Sequence, residues 1–199
     1  MATSPKAKVE RWMRHRPFRG LLAILFALWG CGGAAIPPAH DESEEGSHAV
    51  RLLPSGDTPR FRFRALDGRE VSSDVALGRT SVIAFMATFD WASQAQARFI
   101  SGIERHHTPR VNCFGIVMEQ AENAPLVESF VTTLGLRFPV AHVTSSQVGK
   151  ATLGVRTVPT VLVMDAGGNV IWRSRGLATE DQLREVLHAV EAQTKKKVK

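Results

Sequence analysis

Two stretches of this chain are apolar at nearly every position: Thr80-Ser81-Val82-Ile83-Ala84-Phe85-Met86 and Val111-Asn112-Cys113-Phe114-Gly115-Ile116-Val117-Met118. A strand with one wet face alternates between apolar and polar residues, so continuous runs of this length imply strands covered on both faces. Between them Ala92, Ala95, Phe99 and Ile103 recur at helical spacing, which predicts a helix packing on that face. The chain is thereby steered toward an α/β architecture with a buried central sheet.

The flanking segments fit the same plan. Phe61-Arg62-Phe63-Arg64-Ala65 alternates strictly and is followed by an Asp67-Gly68 turn and a short return at Glu70-Val71. A helix after Asn123-Ala124-Pro125 carries Leu126, Val127, Phe130, Val131 and Leu134 on one face and stops at Gly135. Residues 138–141 read as a short excursion and residues 147–153 as a short helix. Thr157-Val158-Pro159-Thr160 enters a strand over 161–164, Ala166-Gly167-Gly168-Asn169 turns it, and Val170-Ile171-Trp172 returns. A capping box, Thr179 with Gln182, opens a last helix that buries Leu183, Val186, Leu187 and Val190. The order β-β-α-β-α-β-α-β-β-α predicts a central mixed sheet flanked by helices on both faces.

With 199 residues, 44% of them hydrophobic, the chain fits one domain plus appendages. The net charge of +6 suggests a nucleic-acid partner until it is located. Residues 1–30 contribute +5 and the final lysines, Lys195, Lys196, Lys197 and Lys199, +4, which leaves −3 for residues 31–194. The body of the protein is mildly acidic, and nucleic acid is excluded as a partner.

The first 30 residues have the form of an export signal. A basic stretch ends at Arg19, the apolar run Leu21-Leu22-Ala23-Ile24-Leu25-Phe26-Ala27-Leu28-Trp29 follows, and that run is too short for a stable membrane-spanning helix. Leu28-Trp29-Gly30-Cys31 resembles the bacterial lipobox, whose cysteine is acylated and becomes the mature N-terminus. The other readings are a plain secretory signal and a short uncleaved anchor. Residues 31–59, rich in Gly, Pro and Ser with the acidic run Asp41-Glu42-Ser43-Glu44-Glu45, have little to bury and read as a tether spanning about 30 Å as a coil. The expected divisions are a signal peptide over 1–30, lipidated Cys31 with its tether over 31–59, a folded domain over 60–192 and a frayed basic tail over 193–199. With Cys31 lipidated, Cys113 is the sole remaining thiol and no intramolecular disulfide can form.

Three features resemble the thioredoxin superfamily, and most closely its membrane-anchored bacterial branch, the TlpA/ResA-like disulfide reductases that overlap with the redoxin domains of peroxiredoxins. They are the junction Ala87-Thr88-Phe89-Asp90-Trp91-Ala92-Ser93, where the family shows Ala-Thr-Trp-Cys-x-x-Cys, then Phe138-Pro139-Val140, and then Gly154-Val155-Arg156-Thr157-Val158-Pro159-Thr160 with its Gly167-Gly168-Asn169 hairpin. The match covers about residues 58–192 and implies a thioredoxin-like fold in a bacterial cell envelope, facing the periplasm.

The resemblance also marks what is missing. The two redox cysteine positions read Asp90 and Ser93, and the position of the acid that tunes the thiols in such reductases reads Gln96. In the peroxiredoxin register the reactive cysteine falls on Ala95. A thiolate must attack a disulfide and a second thiol must resolve the adduct, so dithiol chemistry at this site is not expected. Asp90 is expected to serve as a helix N-cap and Ser93 as a passive replacement. The resemblance implies a cis-proline at Pro159, with the backbone of Val158 able to pair with an extended segment of a cell-envelope partner. Trp91 either anchors such a partner or is half-covered by its own domain.

No cofactor and no metal are expected. Cys113, within a strand, reads as a small buried hydrophobe. Two rival functions remain: an active thiol-disulfide oxidoreductase or peroxiredoxin-like antioxidant using Cys113 or a partner's thiol, and a copper-handling protein drawing on Met86, Met118 and Met164 with His106, His107 or His142.

Overall fold

The computed structural model describes residues 50, 52–53, 58–150 and 154–197; the leader, Cys31 and most of the tether lie outside the described residues. At its centre β3 (Thr80–Met86) and β4 (Val111–Met118) run parallel, with Thr80 opposite Val111 and Met86 opposite Val117. β5 (Val140–Val143) continues the parallel set beyond β4, whereas β6 (Thr160–Met164) and β7 (Val170–Arg175) are antiparallel additions beyond β3. The strand order is β5-β4-β3-β6-β7. A separate hairpin of β1 (Arg62–Arg64) and β2 (Glu70–Ser72) is joined to the β5 edge by a bridge between Ala65 and Ala141 and by the Leu66 N–H donating to the Val140 carbonyl.

Both faces of β3 are covered, as its unbroken apolar run requires. Val82, Ala84 and Met86 face a cluster that includes Ile100 and Ile103 of α2 (Trp91–His107), Val127 and Phe130 of α3 (Ala124–Leu134), and Leu183 and Leu187 of α5 (Glu180–Lys197). Ile83 and Phe85 face the opposite cluster, with Phe61 and Val71 of the hairpin region, Ala76 of α1 (Ser73–Ala76) and Val148 of α4 (Ser145–Lys150). Each large apolar side chain buried in this way contributes about 1.5–3 kcal/mol. Gly115 of β4 makes room for the first cluster, because a Cβ there would lie 3.0 Å from both Phe138 and Val140.

Five expectations change. The observed order has one more strand–helix pair, because residues 138–141 lead into a true fifth strand and α4 spans Ser145–Lys150 rather than 147–153. The inward face of α2 is rotated: Ser93, Gln96, Ala97, Ile100 and Ile103 are buried, while Ala92, Ala95 and Phe99 are half-buried. Apolar periodicity passed over Ser93 and Gln96, which go inside because their polar atoms are hydrogen-bonded there. Leu126 points outward from the first turn of α3. The lysines near the C-terminus extend α5 to Lys197 where a frayed tail was expected. At the other end, Leu53 donates its N–H to the Ile171 carbonyl at 2.7 Å and Val50 and Leu52 pack on the first cluster, so chain from before residue 60 covers part of the β7 edge.

His107, in the last turn of α2, is 8% exposed, and its Nδ1 has no hydrogen-bond partner among the described residues. Burial, and then the nearby Arg110 cation, hold its pKa below the usual histidine value. The unfolded chain takes up this proton near pH 6.5 and the folded chain only at lower pH, so folding stability drops as pH falls below about 6.5. Urea midpoints measured from pH 7 to pH 5 should show a decline that is shallower in His107→Leu. An unchanged slope in the variant would remove His107 from this account.

Candidate functional site

The site is built where β3 ends and α2 begins. Asp90 has extended backbone, φ −100° and ψ 120°, and its carboxylate caps the helix. Oδ1 accepts from the Ala92 N–H at 3.3 Å, and Oδ2 accepts from the Ser93 N–H at 2.9 Å and from the Ser93 hydroxyl at 2.6 Å. The Ser93 Oγ in turn accepts the Ala87 N–H at 3.1 Å. The Ser93 hydroxyl bond, and after it the backbone donors, stabilise the ionised carboxylate and hold the Asp90 pKa below the usual aspartate value. Donors left over at a helix start are thus satisfied within the chain itself.

This network has little chemical capacity of its own. The Ser93 side chain is fully buried and both its donor and an acceptor site are engaged, so it is not presented to any substrate. Asp90 is a carboxylate, which neither attacks nor resolves a disulfide.

Below it, Gln96 is completely buried and grips one residue across the fold. Its Nε2 donates to the Ala178 carbonyl at 3.1 Å, while its Oε1 accepts the Ala178 N–H at 2.8 Å. The segment entering α5 is thereby fastened to α2. A buried carboxylate was not anticipated: Glu119, just beyond β4, accepts from the Thr88 N–H at 2.5 Å and from Asn123 Nδ2 at 3.0 Å. It pins the loop ahead of Asp90. Nothing in the sequence around Glu119 announces this, because Thr88 is brought to it only by the pairing of β3 with β4.

The surface around the cap is apolar and open. Trp91 is 83% exposed and Phe89 76%, one on each side of Asp90. Trp91 is therefore not half-covered by its own domain. Phe89 was readable in advance, since it occupies the place of the tryptophan in the motif quoted above.

Val158 and Pro159 stand at the same end of the sheet, because Thr160 at the start of β6 pairs with Phe85 near the end of β3. The Val158–Pro159 bond is cis. The Pro159 carbonyl accepts the Gly176 N–H at 2.8 Å, and the Thr160 hydroxyl donates to the Thr157 carbonyl at 2.7 Å. Among the described residues, the Val158 N–H and C=O have no hydrogen-bond partner.

Cys113 lies elsewhere. It pairs with Val82, near the start of β3, which puts it four residues, or about 13 Å along the sheet, from the end that carries Asp90. It is 5% exposed, and burial, with a smaller contribution from Glu104, pushes its thiol up to about 12. The methionines do not converge either. Met86 faces one side of the sheet at the end of β3, whereas Met164 faces the other side and pairs with Ser81 at the opposite end. Met86, Met118 and Met164 each close a strand, but β6 runs antiparallel to β3 and carries Met164 to the opposite end of the sheet. Among the described residues no group of three or more His, Cys, Asp or Glu side chains is placed to hold a metal ion, and no helix is long and apolar enough to cross a membrane.

No family model matches the chain. It is 24% identical over 168 residues to the thiol-disulfide oxidoreductase ResA of Bacillus thuringiensis, an alignment covering 84% of this chain and 92% of the relative. Among solved structures it resembles a thioredoxin-family thiol:disulfide interchange protein from Chlorobium tepidum, with TM-score 0.59, 21% identity, 69% of this chain and 97% of the other. It also resembles a secreted Mycobacterium tuberculosis disulfide oxidoreductase described as homologous to Escherichia coli DsbE, with TM-score 0.55, 19% identity, 65% of this chain and 96% of the other. The fold is thioredoxin-like, and the similarity in sequence is to the ResA-like branch of thiol-disulfide oxidoreductases.

Proposed function

We propose that this chain is an exported, lipid-anchored member of that branch that has given up dithiol chemistry and holds an extended segment of a cell-envelope polypeptide at Val158, Pro159 and Trp91. The observation that carries the reading is a contrast at one end of the sheet. Asp90 and Ser93 are closed on themselves as a helix cap, while the Val158 backbone groups have no hydrogen-bond partner among the described residues and the Trp91 and Phe89 rings are exposed. Unpaired backbone groups beside exposed aromatics suit strand-like capture of a peptide, where main-chain bonds give affinity and apolar anchors add to it. Export is supported by the leader pattern of residues 1–30 and by the description of the mycobacterial relative as secreted. Lipidation at Cys31 would keep the domain at a membrane surface.

The relatives' names favour a second reading, an oxidoreductase that still works through Cys113. A thiol near pKa 12 holds only about one part in 10⁵ as thiolate at pH 7, and this one is buried away from the exposed end. In a Cys31→Ser background, where Cys113 is the sole thiol, iodoacetamide should label the folded protein only as fast as the domain opens, and completely in urea. Rapid labelling of the folded protein at pH 7 would favour the second reading. For docking, a photo-crosslinking residue at position 91 should capture a discrete polypeptide in cells, and Trp91→Ala should weaken binding of that polypeptide by at least about tenfold, the scale of an aromatic anchor.

A further inference from the structure

Next to the Val158–Pro159 loop lies a concavity of about 540 Å³ lined by Arg156, Thr157, Arg173 and Arg175 together with Gly154 and Thr160. Its arginines come from two elements. Arg173 and Arg175 sit two residues apart on β7 and so share a face, with Arg175 opposite Thr160 in register. Arg156 enters from the loop before β6. Arg173 Nη1 donates to the Gly154 carbonyl at 3.2 Å, which holds this guanidinium against the loop. Arg156 and Arg175 are exposed, and no carboxylate lies within ion-pairing distance of either among the described residues. Three cations thus crowd a partly enclosed space. Burial, and then the Arg175 charge, lower the Arg173 pKa.

The arginines adjoin the open backbone of Val158, so whatever pairs there runs past them. In an extended segment, side chains on one face repeat every 6–7 Å or so, which carries a residue two places along from the paired one over this concavity. We infer that the Arg156, Arg173 and Arg175 concavity is a specificity pocket of the peptide site and takes a carboxylate side chain, so that the preferred partner is an extended acidic segment. This rests on the docking reading above. Guanidinium groups suit carboxylates because they offer paired N–H donors in a planar fork.

The test uses the full chain and two fluorescent peptides, one with alternating valine and glutamate and one with glutamine in place of every glutamate. Anisotropy titrations at 50 mM salt should show the glutamate peptide binding about tenfold more tightly than the glutamine peptide, the scale of one charge-assisted hydrogen bond, with the gap narrowing at 300 mM salt. Arg156→Gln with Arg175→Gln should bring the glutamate peptide down to the level of the glutamine peptide. Both residues are exposed, and Arg173, which is tied to the loop, is left in place, so folding is not at stake. Equal affinities for the two peptides would overturn the acidic preference and leave the docking reading standing. Binding of neither peptide would overturn both. If inorganic phosphate binds in an arginine-dependent way while neither peptide does, the pocket takes a free anion and the inference fails.

Discussion

Gln96→Leu should lower the unfolding free energy by about 2–5 kcal/mol, because it strands two buried backbone groups, the Ala178 N–H and C=O, each costing about 1–3 kcal/mol without a partner. The volume change is small, so nearly all of the loss should come from the polar groups. Gln96→Glu gives a sharper test. An ionised carboxylate can still accept the Ala178 N–H but has nothing to donate to the Ala178 carbonyl, whereas the protonated acid can do both. Burial and that hydrogen bond favour the neutral acid, so its folded pKa rises above the unfolded value near 4.3. The variant's stability relative to the parent is then best below that unfolded value and is lost as pH rises through the folded pKa. Urea denaturation of parent and variant at pH 4 and pH 7 measures this. A difference independent of pH, or a Gln96→Leu cost below about 0.5 kcal/mol, within the range of ordinary surface changes, would show that the grip on Ala178 is not formed.

Asp90→Cys combined with Ser93→Cys should give the chain insulin-reducing activity that neither single variant has. In the parent the two side chains converge to 2.6 Å between Asp90 Oδ2 and the Ser93 hydroxyl, so two thiols there need little movement to close a disulfide. The Ser93 hydroxyl, and after it the backbone N–H groups of the helix start, lower the Asp90 pKa, and those N–H groups remain in the variant to favour a thiolate in the same place. If that thiol titrates near pH 7, about half is thiolate, on the order of 10⁴–10⁵ times the fraction available to Cys113 at about 12. Losing the cap should cost about 1 kcal/mol, which the domain is expected to tolerate. Thiols at both positions that titrate normally and still reduce nothing would show that more than residues 90 and 93 separates this chain from its relatives.

How much of this was legible beforehand depended on whether the deciding interaction is local. β3 and β4 match the sequence reading residue for residue, since an unbroken apolar run has one good explanation in a covered sheet. The stop of α3 at Gly135 was equally plain, and its φ of 61° is the left-handed value that glycine adopts freely. β5 was missed as a strand because its four residues carry no pattern of their own and gain their pairing from β4. The buried face of α2 was misjudged because Ser93 and Gln96 are polar, and Ala178, the partner that holds Gln96 inside, is 82 residues away and reaches it only on folding. The capping geometry of Asp90 is the local kind of event, within one helical turn. The arginine pocket is the distant kind, since Arg156 and Arg175 meet only because β6 and β7 pair.

Turnover of insulin disulfides by the unmodified chain, with dithiothreitol as the terminal reductant, bears most directly on the proposed loss of redox chemistry. The rate should equal that of dithiothreitol alone, in the parent and in Cys113→Ala alike. A rate well above that background in the parent, whether it vanishes in Cys113→Ala or survives it, would contradict the proposal that this thioredoxin-fold chain works by binding rather than electron transfer.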